Sequence, residues 1–156
     1  MTRAAEILLE QAKAAGAMIA TAESCTGGMV AAAITDIAGS SAIFDRGFVT
    51  YTNDAKVAML GVQGGTLDRY GAVSEQVAAQ MARGAIHHST ANFAVATTGI
   101  AGPGGSEFKP EGRVCFAVAG PGFCHTETVE FGAIGRADVR ARATAHALSL
   151  LLREVK

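Results

Sequence analysis

Ala22-Glu23-Ser24-Cys25-Thr26-Gly27-Gly28 is the stretch from which the rest of the chain is read. It follows a short apolar run, Met18-Ile19-Ala20, and precedes a periodic one, Met29, Val30, Ala33, Ile34 and Ile37. An unbroken apolar run, then glycines, then apolar residues at helical spacing read as strand, sharp turn and helix. A serine in that turn lies at a strand end, beside the unpaired N–H groups of a helix start. Such a position can hold a nucleophile and stabilise an oxyanion at once.

The pattern extends in both directions. Residues 3–15 place Ala4, Ile7, Leu8, Ala12 and Ala15 on one helical side, and Gly16 ends that helix. Residues 17–22 form the strand, and the helix after the turn runs from about Thr26 to Ile37, stopping at Gly39. Phe44 to Asn53 is rich in β-branched and aromatic residues and reads as a strand. A short helix over 54–60 takes Asp54 as its N-cap, and 61–71 is a loop with room for one helical turn. Ser74 caps a helix that reaches His88, and Asn92 to Thr98 is a strand. Residues 99–112 hold five glycines and two prolines, too many for regular structure. Strands over 113–119 and 123–131 flank the hairpin signal Gly120-Pro121-Gly122, and a helix over 136–154 ends the chain. Early alternation of helix and strand with a late hairpin predicts one domain, 1–156. Its expected fold is a three-layer α/β/α sandwich with a mixed, mainly parallel sheet.

Composition narrows the function classes. At 156 residues and 49% apolar, the chain can bury a real core rather than remain disordered. Thirteen basic and fourteen acidic side chains leave a net charge of −1, which argues against a general nucleic-acid binder. Glu6 and Glu10 stand where a signal peptide needs an apolar core, and no segment is long enough to span a bilayer. The expected location is therefore the cytoplasm. Cys25, Cys115 and Cys124 form no CxxC pair, which makes a poor disulfide or zinc frame. Cys115 and Cys124 read as buried strand thiols.

Ser24 has two open readings. In one it is an activated hydroxyl, with amides of Thr26, Gly27 or Gly28 binding the oxyanion and the bare glycines admitting substrate to the backbone. In the other it is a helix N-cap. Cys25 is a rival nucleophile, because a thiol near a helix start can have a lowered pKa. A nucleophilic serine needs a base. No G-x-S-x-G elbow is present, and His87, His88, His125 and His146 fall in helix or strand positions. Attention shifts to the lysines, which are Lys13, Lys56, Lys109 and Lys156. Lys56 lies just past a strand end and is either a base whose pKa desolvation lowers or a solvated helix lysine. Ser106-Glu107-Phe108-Lys109 fits the S-x-x-K pattern of penicillin-recognising enzymes, but Gly104, Gly105 and Pro110 oppose the helix that pattern needs.

Two further features face the same question. Thr97 to Ser106 follows a strand directly, where open α/β sheets gather ligands, yet it matches neither nucleotide-binding glycine motif. It reads either as a ligand-facing loop with exposed amides, involving Thr98, Gly99, Gly102, Gly104, Gly105 and Ser106, or as a long structural turn. Arg136 and Arg140 are four residues apart near the start of the last helix, where cations oppose the helix dipole. A bound anion such as phosphate would offset that cost; pairing with Asp138 or Glu130 is the alternative.

Taken together, several ordered blocks resemble the C-terminal domain of the competence- and damage-inducible CinA family, which also occurs as a stand-alone nicotinamide mononucleotide amidase. The blocks are Ala22 to Gly28, Gly39-Ser40-Ser41, Val49-Thr50-Tyr51 with Lys56, Gly71 to Glu75, Thr98 to Pro103, and the Arg136/Arg140 pair. They span nearly the whole chain. The resemblance implies hydrolysis of the carboxamide of nicotinamide mononucleotide to nicotinate mononucleotide and ammonia. It implies Ser24 as nucleophile, Lys56 as general base and Tyr51 nearby. It further implies neither metal nor organic cofactor, and a tendency to form dimers or higher oligomers. Glu111 and Arg113 depart from the small apolar or Thr residues more usual in relatives, at the mouth of the expected site. A different class of function, a non-catalytic nucleotide-binding or regulatory module linked to competence or DNA damage, stays open at this point. So does a cysteine hydrolase using Cys25.

Overall fold

The computed structural model describes residues 1–106 and 108–156. Five strands form one sheet, β1 (Ile19–Glu23), β2 (Phe44–Val49), β3 (Phe93–Gly99), β4 (Arg113–Gly120) and β5 (Phe123–Glu130), in the order β2-β1-β3-β4-β5. β1 pairs parallel with both β2 and β3, and β4 is antiparallel to both β3 and β5. Every strand except β4 therefore points the same way.

Alternation along the inner strands explains the two layers that cover the sheet. In β4, Val114, Phe116 and Val118 enter one core with α1 (Thr2–Ala15), α2 (Met29–Thr35) and α6 (Arg136–Glu154). Cys115, Ala117 and Ala119 enter the other, with α5 (Glu75–His87). The small side chains on this second face, including Ala20, Ala22, Ala94 and Ala96, let α5 lie close to the sheet. α3 (Asn53–Leu60) and α4 (Gly64–Tyr70) pack against α5 in the same layer. Gly84 is where α5 meets α3: a Cβ there would stand 2.0 Å from the Leu60 carbonyl oxygen.

Several element boundaries differ from the sequence-based expectation. The second helix begins at Met29 rather than Thr26, because Gly27 and Gly28 adopt positive φ and keep the turn outside the helix. The second strand stops at Val49, and Thr52 rather than Asp54 caps α3, its hydroxyl accepting from the Ala55 amide at 3.1 Å. Residues 64–70 form a seven-residue helix where a loop with one helical turn was expected. Cys124 is half-buried rather than buried, because β5 is an edge strand. No helix among the described residues is long and apolar enough to cross a membrane.

Candidate active site

The three parallel strands β2, β1 and β3 end on one side of the sheet, and the chain leaves β1 toward a different neighbour than it leaves β3. Ligands collect at such a switch point. The turn after β1 is held there by backbone bonds: the Ser24 amide donates to Thr97 O at 3.0 Å, and the Thr50 amide donates to Glu23 O at 2.8 Å. These two bonds bring the strand ends, and hence Ser24 and Tyr51, side by side.

Glu23 decides what Ser24 is free to do. Its carboxylate is buried and accepts from Gly28 N, Val30 N and Ala31 N, and from Thr26 Oγ1 at 2.6 Å. The start of α2 is thus satisfied by an anion placed against its dipole. Ser24 caps nothing; α2 begins five residues later. Thr26 Oγ1 spends its proton on Glu23, so the Thr97 hydroxyl, 2.8 Å away, donates to Thr26.

Ser24 Oγ instead lies 3.1 Å from Lys56 Nζ. Lys56 sits in the first turn of α3, 1% exposed, and Nζ also lies 3.1 Å from Thr50 O and 3.2 Å from Tyr51 O. Nζ donates to both carbonyls and to Ser24 Oγ, which puts the amine within proton-transfer distance of the serine hydroxyl. Lys56 is the candidate base by placement, for no histidine among the described residues lines the cavity. His146 is packed away against Phe116, with ring centroids 4.6 Å apart.

Ser24, Lys56 and Tyr51 open onto a cavity of about 320 Å³. Its far wall is the glycine-rich loop, including Thr98, Gly99, Gly102, Gly104, Gly105 and Ser106, and Arg136 closes one side. Arg136 donates to the Gly102 carbonyl and to the Tyr51 hydroxyl, both at 2.7 Å, so guanidinium and phenol are fixed to each other at the rim. The Ala101, Gly102 and Gly105 amides make no hydrogen bond to the described residues, which leaves them for a ligand.

Other expected residues lie elsewhere. Thr26, Gly27, Gly28 and Arg140 do not line the cavity. The Gly27 amide donates to Ser24 O at 3.0 Å and that of Gly28 to Glu23, so two of the three helix-start amides expected to hold an oxyanion are already spent within the fold. Arg140 braces the turn from behind, donating to Cys25 O at 3.1 Å and Thr26 O at 3.4 Å. Cys25 lines the cavity, but burial pushes its thiol up to about 12, the reverse of the lowered value its place near a helix start suggested. Glu111 accepts from the Gly104 amide and Arg113 pairs with Glu130, so both unusual residues stitch the loop and its flanking strand.

Ser106 and Lys109 do not form a helical pair. They exchange backbone hydrogen bonds instead, Ser106 N to Lys109 O at 3.1 Å and Lys109 N to Ser106 O at 2.8 Å. Glu107, the third residue of that motif, lies outside the described residues. Sequence reasoning missed the capping role of Glu23, whose only signal was an acid just ahead of a helix start. It also missed the wall made by Ala72 and Val73.

The family model of the CinA C-terminal domain matches residues 1–155. The chain is 55% identical over 143 residues to nicotinamide-nucleotide amidohydrolase PncC of Escherichia coli K12, covering 89% of this chain and 85% of that protein. It is 51% identical to a CinA-like protein of Mycolicibacterium vanbaalenii, covering 89% of this chain but 33% of that longer protein. The crystal structure of the competence/damage inducible protein CihA from Agrobacterium tumefaciens superposes with a TM-score of 0.94 at 52% identity, covering 97% of this chain and 93% of that one.

Proposed function

We propose, from the premise that this chain belongs to the CinA C-terminal domain family, that it hydrolyses the carboxamide of nicotinamide mononucleotide by a serine/lysine mechanism. The observation that carries the mechanism is the 3.1 Å approach of Lys56 Nζ to Ser24 Oγ beside a cavity of about 320 Å³. The substrate rests on the relative from Escherichia coli named as a nicotinamide-nucleotide amidohydrolase.

Neutral Lys56 takes the Ser24 hydroxyl proton as Oγ attacks the carboxamide carbon. The amide oxygen becomes an oxyanion. Cys25, next to the nucleophile, lines the cavity and its amide makes no hydrogen bond to another backbone group, so we assign that amide as a donor in place of Gly27 and Gly28. Lys56 then returns its proton to the leaving nitrogen, the C–N bond breaks, and ammonia departs. Water attacks the acyl-serine with Lys56 again accepting a proton, which releases the carboxylate product and restores Ser24. The phosphate is assigned to Arg136 and the free amides of the 99–106 loop, where a guanidinium and backbone donors converge. Tyr51 steadies Arg136 through its hydroxyl and Lys56 through its carbonyl. Self-association and a cytoplasmic setting belong to the same reading.

The test is ammonia release from a panel of pyridine nucleotides by wild type, Ser24→Ala, Cys25→Ala and Lys56→Ala. Loss in the Ser24 and Lys56 variants with retention in Cys25→Ala is expected. Ligand-dependent thermal stabilisation without turnover in the wild type would favour the non-catalytic regulatory module instead.

A further inference from the structure

From Tyr70, the last residue of α4, the chain runs through the irregular segment Gly71-Ala72-Val73 to α5, and Ala72 and Val73 line the cavity. Irregular backbone must find partners outside a helix or sheet ladder. Here all four consecutive carbonyls are held by side chains. Ser74 Oγ donates to Gly71 O at 2.9 Å, and Thr98 Oγ1, from the end of β3, donates to Ala72 O at 2.8 Å. The outer two, Tyr70 O and Val73 O, are both held by one group, Lys109 Nζ, at 2.5 and 2.6 Å.

Lys109 belongs to the other side of the cavity. Its backbone is locked to Ser106, the last lining residue of the glycine-rich loop. The Lys109 ammonium, with the Thr98–Ala72 bond beside it, therefore ties the two walls together. Tyr70 also ends α4, so the cation sits where the helix dipole favours it. Charge-assisted bonds of this length are among the stronger ones a side chain makes.

We propose that Lys109 is a positioning residue, a clasp that sets the width of the cavity by fastening the glycine-rich loop to residues 70–73. The clasp keeps the loop amides and Arg136 at a fixed distance from Ser24, so substrate is bound by walls already in place. Its effect on turnover rests on the amidase reading; its effect on the two walls does not.

Two measurements on Lys109→Met, with Lys109→Arg as the conservative control, decide the matter. The first is hydrogen exchange of the ligand-free chain. Release of the clasp is expected to speed exchange about tenfold in both 70–73 and 99–106, with α1 and α6 unchanged. Faster exchange confined to 106–110, or no change in 70–73, would overturn the proposal. The second is steady-state hydrolysis of nicotinamide mononucleotide. KM is expected to rise about tenfold with kcat within about twofold, and Lys109→Arg to recover most of the loss. An unchanged KM, or a fall in kcat alone, would also overturn it. A wild type that hydrolyses no pyridine nucleotide sinks the amidase reading and leaves the exchange result to judge the clasp.

Discussion

Lys56 Nζ stands 3.1 Å from Ser24 Oγ across 32 residues of chain, and the same nitrogen touches the carbonyls of Thr50 and Tyr51. Two carbonyl partners thus hold the amine beside the serine hydroxyl. Replacing either Ser24 or Lys56 by Ala is expected to lower kcat on the order of a thousandfold, with little change in substrate binding. Lys56→Arg is expected not to restore turnover, because a guanidinium keeps its proton across the working range. Single-turnover assays of ammonia release, beside calorimetric binding of nicotinate mononucleotide, check both halves.

The rate should climb with pH. A base acts only in its deprotonated form, so raising pH populates the neutral amine and increases kcat until the whole population is neutral. The limb should follow one ionisation and be absent from the residual rate of Lys56→Ala. A limb between pH 6 and 10 that persists unchanged in the residual rate of Lys56→Ala would contradict the lysine mechanism.

Cys25 should be a bystander as a thiol. With its pKa pushed up to about 12 by burial, it remains protonated throughout that same pH range. Cys25→Ala is expected to keep its kcat within about threefold of wild type. Iodoacetamide at pH 7.5 should neither inactivate the protein nor add mass at Cys25 within an hour. Rapid alkylation that substrate prevents would revive the cysteine hydrolase.

Glu23 should matter first for stability. Glu23→Ala strips the partner from three backbone amides and the Thr26 hydroxyl at once, in a buried setting. The expected cost is roughly 3 kcal/mol. In a chain of this size that lowers the thermal midpoint by about 6–12 °C. Differential scanning calorimetry measures it directly.

Gly84 should tolerate no side chain. The Leu60 carbonyl occupies the place of its Cβ, so Gly84→Ala must push α5 away from α3, the helix that carries Lys56. The expected destabilisation is about 2 kcal/mol. Activity should fall as well, measured at a temperature where the variant is fully folded.

Much of the fold was legible because it rests on local periodicity. The run Arg113-Val-Cys-Phe-Ala-Val-Ala119 alternates large and small residues, and the alternation alone separates the two faces that α6 and α5 cover. Ser24 was legible as a candidate, since a strand end followed by Gly27-Gly28 signals a sharp turn. Boundaries near the site were not. Whether the helix starts at Thr26 or Met29 depends on two glycines taking positive φ, and on where Glu23 finds its donors.

Sequence by itself thus determined the layers, the order of elements and, through ordered blocks, the family. Tertiary structure alone decided which residues meet. Spacing left Ser24 undecided between cap and nucleophile. The fold gives the cap to Glu23 and sets beside Ser24 the amine of Lys56, delivered by the helix that follows the neighbouring strand. It also decided that Arg136 reaches the cavity while Arg140, one turn on, braces the turn behind it. The physical reason is that periodicity reports the environment of each residue along its own element. Proton transfer and ligand binding depend on distances between elements, which the sheet order and packing set.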